Sequence, residues 1–179
     1  MKNSVLIAVV LFVLPFGLLG CGDGLGSFSF TEESGETVVE GEGALGSVLP
    51  NGALDVFRLD INLEQELEKR DAKGAKAVYL TDLELQITDT EQPSGDSDNF
   101  DFLDSITIDV AADGQETRQL AVLDPVPEGQ TTVALDVDDT IDLKPYIESG
   151  MRLETNASGN RPEDDTSLKV VATIRVQVL

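Results

Sequence analysis

The chain has 179 residues, a hydrophobic fraction of 41% and a formal charge of −22 at pH 7. A chain of this length forms one domain with a hydrophobic core, and so acidic a surface repels nucleic acid and anionic lipid headgroups. The sequence contains no histidine and one cysteine. These counts exclude Ser-His-Asp and Cys-His nucleophilic sites, zinc sites built on histidine or paired cysteine, and an intramolecular disulfide.

The N-terminal segment has the pattern of a secretory signal peptide. Lys2 supplies a positive start, and an apolar run extends from Val5 to Leu19. This run is shorter than the ~20 residues that a membrane-spanning helix needs, and small residues follow it at a cleavage position. We therefore expect residues 1–20 to be removed as a signal peptide.

Leu18, Leu19, Gly20 and Cys21 resemble the lipobox of bacterial lipoproteins. The resemblance implies cleavage between Gly20 and Cys21, a diacylglyceryl group on the Cys21 sulfur, and acylation of the new amine by a fatty acid such as palmitate. Two or more acyl chains hold a protein stably on a bilayer. Gly22 stands where Asp marks inner-membrane retention in enterobacterial lipoproteins, so the resemblance implies the outer membrane. The alternative is an ordinary signal peptide with a coincidental cysteine.

Residues 21–36 are rich in glycine and serine and are acidic. This composition predicts a flexible tether that holds the domain away from the bilayer. Phe28 and Phe30 are unusual in a linker, and we expect them either to dock on the domain or to contact lipid.

A glycine motif follows the tether. Residues 41–46 match the pattern G-x-G-x-x-G of dinucleotide-binding proteins. That motif requires a helix to begin at its end, and Pro50 and Gly52 prevent a helix here. We interpret the motif as a glycine turn between short strands.

The domain, residues 37–179, is predicted to consist mostly of strands. Alternation of apolar and polar residues predicts strands over 55–61, 77–88, 100–110, 118–123, 131–137, 151–157 and 168–179. Within 77–88, Tyr79 is expected to share the inward face with Leu83 and Leu85. Asn62 with Gln65 predicts a short capped helix, 141–150 predicts a further helical turn, and Asp113-Gly114 predicts a hairpin.

Seven or eight strands with one short helix predict an all-β fold in which antiparallel sheets pack face to face. We expect an antiparallel β-sandwich of the Ig-like or Greek-key type, with a small barrel as the alternative. The region resembles small β-sandwich domains of exported bacterial lipoproteins that have no assigned activity.

Two acidic clusters are candidate calcium sites. The first contains Asp96, Asp98 and Asp101, and the spacing of Asp96 and Asp98 resembles the start of an EF-hand loop. Asp101 occupies the position of the required glycine and Thr107 that of the final glutamate, which excludes the EF-hand pattern. The second cluster contains Asp136, Asp138, Asp139 and Asp142. With 34 acidic residues in the chain, such clusters arise by composition alone, so we assign no metal ligand.

These observations predict a lipid-anchored protein of the bacterial envelope that is not an enzyme and has no cofactor. Its sandwich loops are expected to contact another envelope protein or a ligand, and no nucleic acid. One alternative is a calcium-stabilised adhesion module. The other is a glycoside hydrolase that uses carboxylates alone, although a chain without Trp and with two Tyr has few residues for a sugar-binding platform.

Overall fold

The computed structural model describes residues 26–41, 48–49, 54, 61–88 and 98–179. The strands in these ranges are β1 (Ser27–Glu33), β2 (Thr37–Val39), β3 (Ala75–Ile87), β4 (Leu103–Ala111), β5 (Arg118–Leu123), β6 (Thr132–Ala134), β7 (Asp136–Val137), β8 (Arg152–Gly159) and β9 (Thr166–Val178). The helices are α1 (Leu63–Glu68) and α2 (Lys144–Glu148), and a 3₁₀ turn covers Phe100–Phe102. No helix in the described ranges is long and apolar enough to cross a bilayer.

The strands form two antiparallel sheets that enclose one core. The order is β1-β9-β3-β6 in the first sheet, where β2 also pairs with β9, and β7-β5-β4-β8 in the second. Every pairing between the described strands is antiparallel. This arrangement confirms the predicted all-β sandwich, and the hairpin at Asp113-Gly114 joins β4 to β5 as expected.

Strand β9 lies at the centre of the first sheet. It pairs with β3 along one edge and with β1 and β2 along the other. Its inward side chains are fully buried and are Leu168, Val170, Ala172, Ile174 and Val176. Regular alternation of branched apolar residues favours a pleated strand with one face in the core, so the predicted pairing of this segment inside a sheet is confirmed.

The expected tether overlaps strand β1. Seven residues of the 21–36 segment pair with β9, from Ser27 opposite Gln177 to Glu33 opposite Val171. Phe30 is buried in the core and Phe28 packs against it. These two aromatic residues have the two-residue spacing of a strand face. The glycine and serine residues around them favoured the prediction of a tether instead of a strand. The paired part of the domain therefore begins at Ser27 and not at the expected residue 37.

Strand β3 changes phase at Thr81. Its pairing with β9 shifts between Leu80 and Asp82, which marks a β-bulge. One extra residue moves all following side chains to the other face. The buried residues are Val78 and Leu80 before the bulge and Leu83 and Leu85 after it. The inward position predicted for Tyr79 was wrong, because this ring lies on the outer face, 5.1 Å from the Arg175 guanidinium.

The single strand predicted over 131–137 is divided between the two sheets. Its first part, β6, pairs with β3, and its second part, β7, pairs with β5. Leu135 lies between them, buried, and its backbone N–H donates to the Leu83 carbonyl at 2.9 Å. The segment therefore crosses from one sheet to the other while its apolar residues stay in the core.

The two ends of the sandwich differ in content. The near end contains Gly26, where the chain enters β1, together with α1, α2 and Leu179. Backbone hydrogen bonds from Val178 to Gly26 (2.9 Å) and from Leu179 to Gly74 (3.1 Å) connect its strands. The far end contains the loops 34–36, 40–41, 98–102, 124–131 and 160–165.

Candidate functional site

The predicted lipid attachment lies outside the described residues. Gly20 and Cys21 precede the first described residue, Gly26, and Asp96 of the first acidic cluster falls in a later gap. The roles proposed for Gly20, Cys21 and Asp96 therefore stay predictions from the sequence.

Asp101 of the first acidic cluster connects two loops at the far end. Its carboxylate accepts a hydrogen bond from the Gly129 backbone N–H at 2.5 Å, and its own N–H donates to Asn99 Oδ1 at 2.8 Å. Asp98 lies nearby in the chain and is partly exposed. A carboxylate that accepts a backbone N–H stabilises loop geometry. The bond of Asp101 thus holds the 98–102 loop against the 124–131 loop.

In the second acidic cluster, Asp138 stabilises a turn. Its Oδ1 accepts hydrogen bonds from the Thr140 hydroxyl at 2.5 Å and from the Thr140 backbone N–H at 3.1 Å. The hydroxyl bond first, then the backbone bond and the nearby charge of Arg118, lower the pKa of Asp138 below its usual value. The Arg118 guanidinium lies 3.7 Å from the other oxygen. The same cluster includes Asp136 and Asp139, which are exposed.

Asp142 of the same cluster has a different role. Its Oδ1 accepts hydrogen bonds from the backbone N–H groups of Val78 and Lys144, each at 3.0 Å. The next residue, Leu143, donates its N–H to the Val78 carbonyl at 2.7 Å. The loop that leads into α2 is thereby fixed to β3. Within the described part of the chain, no group of three or more His, Cys, Asp or Glu side chains is placed to hold a metal ion.

A groove of about 770 Å³ lies between α1 and α2 at the near end. Its apolar lining includes Ile61, Leu63, Leu67, Ala75, Ile147 and Met151. Lys144 and Glu148 stand on one rim and form an ion pair of 3.0 Å. A concave apolar surface with a few polar groups is the usual form of a site for a small molecule or an apolar segment.

Helix α1 borders this groove and has the predicted cap. Asn62 Oδ1 accepts from the Gln65 backbone N–H at 3.0 Å, which satisfies one of the free donors at the helix start. The helix begins at Leu63 and ends at Glu68. The sequence was sufficient to predict this cap, because a side-chain cap depends only on the spacing of residues that are close in the chain.

Glu66 forms an ion cluster on the inner side of α1. Its buried carboxylate accepts from Lys69 and, at 2.5 Å, from Arg70. These two bonds, that of Lys69 first, lower the pKa of Glu66 below its usual value in spite of its burial. Arg70 also lies over the Phe28 ring, with 4.3 Å from the guanidinium carbon to the ring centre. The cluster therefore connects α1 to the first residues of β1.

The sequence indicated only part of this cluster. The i,i+4 spacing predicts the pair of Glu66 and Arg70. The contact of Arg70 with Phe28 joins residues that are distant in the chain, so no local sequence pattern predicts it. A second groove, of about 410 Å³, lies beside this contact.

No protein-family model matches this chain, and no characterised protein matches it significantly.

Proposed function

We propose that this protein is a lipid-anchored lipoprotein of the bacterial cell envelope with a structural or binding role and no catalytic activity. The observation that carries the proposal is the Leu18–Cys21 pattern at the end of a short apolar run, directly before an acidic β-sandwich. Lipid on Cys21 is the attachment to the membrane, and Gly22 favours the outer membrane.

The construction of the near end supports this role. Strand β1 begins at Ser27, a few residues after Cys21, and pairs with the central strand β9 along its whole length. The Arg70 guanidinium over the Phe28 ring adds a second connection to the start of β1. A force on the lipid would therefore be transmitted to the most extensively paired strand of the domain.

The far end supports a binding role. Two apolar side chains there are exposed to solvent, Val38 at 55% and Val48 at 72%. Glu36 and Glu40 stand two residues before and after Val38 in the chain, and three exposed acidic residues, 163–165, follow Asn160, which pairs with Val48. Exposed apolar residues with a charged rim are typical of protein-binding surfaces. We assign to the far end the contact with another envelope protein.

Replacement of the cysteine tests the anchor. In Cys21→Ala, we expect no incorporation of labelled fatty acid and release of the protein from the membrane fraction. Resistance of the sandwich to protease serves as the control for folding and export. Label in the variant, or retention on membranes after a high-salt wash, would show that Cys21 is not the anchor.

The binding role is tested by photo-crosslinking in the native cells. A crosslinking residue at Val48 should capture an envelope protein, and the same residue at Gln119, exposed on the second sheet, should not. Equal capture at both positions would remove the far end as the binding surface.

A further inference from the structure

The groove between α1 and α2 at the near end presents apolar side chains that the core covers only in part. The partly buried residues that line it and pack against the core are Ile61, Leu63, Leu67, Ile147 and Met151. Its volume of about 770 Å³ lies within the range of small-molecule sites, roughly 300–1,000 Å³. Of the charged side chains on its rim, Lys144 and Glu148 form an ion pair and Glu64 is exposed to water. This lining fits an uncharged apolar group, which the negative charge of the protein does not repel.

The first described residue, Gly26, stands close to this groove. Val178 donates its backbone N–H to the Gly26 carbonyl at 2.9 Å. At the opposite edge of the same strand end, Leu179 donates to the carbonyl of Gly74 at 3.1 Å, and Gly74 lines the groove. Neighbouring strands lie ~4.8 Å apart, so about 10 Å separate Gly26 from the groove.

The segment from Cys21 to Gly26 is long enough to cross this distance. An extended chain spans at most ~3.6 Å per residue, so Cys21 reaches up to about 18 Å from Gly26. The side chain of Leu179 is 70% exposed and lies against Gly74, which places an apolar surface on the path to the groove. A lipid on Cys21 can therefore extend into the groove.

We propose that the groove holds one acyl chain of the lipid on Cys21 while the protein is away from a bilayer. The inference rests on the proposed function, because it takes Cys21 as the lipidated residue. Each methylene group of an acyl chain is unfavourable in water, and the short tether makes its binding intramolecular, at a high effective concentration. A bilayer buries the whole chain. The chain therefore leaves the groove when the protein binds a membrane.

Met151 serves as the reporter for the groove. Of the two methionines in the sequence, Met1 belongs to the expected signal peptide, so the mature chain 21–179 contains Met151 alone. Peroxide oxidises a methionine sulfur to the sulfoxide, which mass spectrometry detects in the peptide that contains it. An acyl chain over Met151 would hinder this reaction.

The test attaches one alkyl chain to the unlipidated mature protein. Its single thiol, that of Cys21, is alkylated with N-tetradecylmaleimide or, as the control, with N-ethylmaleimide. In monomeric samples, Met151 should oxidise several-fold more slowly with the tetradecyl chain, and the ratio should not depend on protein concentration. Equal rates would overturn the proposal. Protection that increases with concentration would also overturn it, because the chain would then bind between molecules.

Phosphatidylcholine vesicles supply the competing site for the chain. A single myristoyl-sized chain binds a bilayer with a constant of about 10⁴ M⁻¹, so ~10 mM lipid should carry most of the protein. In the fraction that floats with the vesicles, oxidation of Met151 should return to the rate of the ethyl control. Slow oxidation in that fraction would show that something other than the alkyl chain covers the groove, and would overturn the proposal.

Two matched variants locate the chain in the groove. Ile147→Glu introduces a carboxylate into the lining, and should abolish the difference between the tetradecyl and ethyl samples because a buried charge next to methylene groups is unfavourable. Val48→Glu makes a similar change at the far end, where Val48 is exposed, and should retain the full difference. Thermal melts verify folding, and Leu63→Glu on α1 replaces Ile147→Glu if that variant does not fold. Protection that persists in a folded groove variant would place the chain elsewhere.

Failure of the anchor has a separate signature. The Met151 measurement uses a chain that is attached chemically, whereas native lipidation is measured by labelled fatty acid in the cells. Native protein without label has no chain for the groove, which would overturn both proposals. Native protein that carries the label, together with equal oxidation rates in the alkylated samples, retains the anchor and refutes only the groove.

Discussion

The near end and the far end of the sandwich are closed in different ways. At the near end, two short helices cover the core, and side chains connect them to the strands. At the far end, backbone segments lie against each other directly, and small residues permit the close approach. We therefore expect substitutions that add side-chain volume to destabilise the far end, and substitutions that remove a hydrogen-bond acceptor to destabilise the near end.

Glycines illustrate this contrast. Gly159, at the far end, has a φ of +144°, and a methyl group there would overlap the carbonyl oxygen of Phe102. Gly150, after α2 at the near end, has a φ of +80°, and no atom of the other described residues, its two chain neighbours apart, lies within 4 Å of the position of an added Cβ. Both positions favour glycine for conformation, but only the far-end glycine is also required for space.

The largest expected effect is that of Gly159→Ala. It combines a strained backbone conformation with overlap of the Phe102 carbonyl, and should lower the free energy of unfolding by about 3 kcal/mol or more. A thermal melt should show a decrease in Tm of about 10 °C.

Gly150→Ala is the matched control for this comparison. It introduces the conformational strain without overlap, and we expect a loss of about 1 kcal/mol. Equal losses for the two variants would show that the far end is not closely packed around Gly159.

An intermediate effect is expected for Asp142→Ala at the near end. The variant leaves the N–H groups of Val78 and Lys144 without their acceptor, and should cost about 2 kcal/mol, measured by urea unfolding. Asp142→Asn retains an oxygen at the same position and should recover most of that loss. If the asparagine variant is as unstable as the alanine variant, the hydrogen bonds do not hold the loop before α2.

A smaller effect, similar to that of Gly150→Ala, is expected for Glu66→Gln, because Lys69 is half-exposed and solvent screens the pair. We expect a loss of about 1 kcal/mol at neutral pH. The pKa of Glu66 is lowered in the folded protein, so its charged form stabilises the fold above the ordinary value of 4.5. This stabilisation is lost as pH falls through the lowered pKa.

Unfolding of wild type and Glu66→Gln should therefore be compared across acidic pH. The difference in stability should be complete above about pH 5.5 and disappear in acid. A difference that stays constant down to acidic pH would mean that the ion cluster contributes through packing instead of charge.

Local patterns in the sequence determined much of this fold. Alternation in residues 168–179 identified β9, Asn62 with Gln65 identified the cap of α1, and Asp113-Gly114 identified the β4–β5 hairpin. Each of these features depends on neighbours in the chain, because side-chain direction, capping and turn conformation repeat over two to four residues. The class of fold followed from the number of such strands.

The pairings and contacts between residues distant in the chain were decided only by the tertiary structure. Pairing with β9 converts an apparent tether into β1, and the bulge at Thr81 reverses the face of Tyr79. Asp142 belongs to an acidic cluster in the sequence but holds β3 through backbone hydrogen bonds.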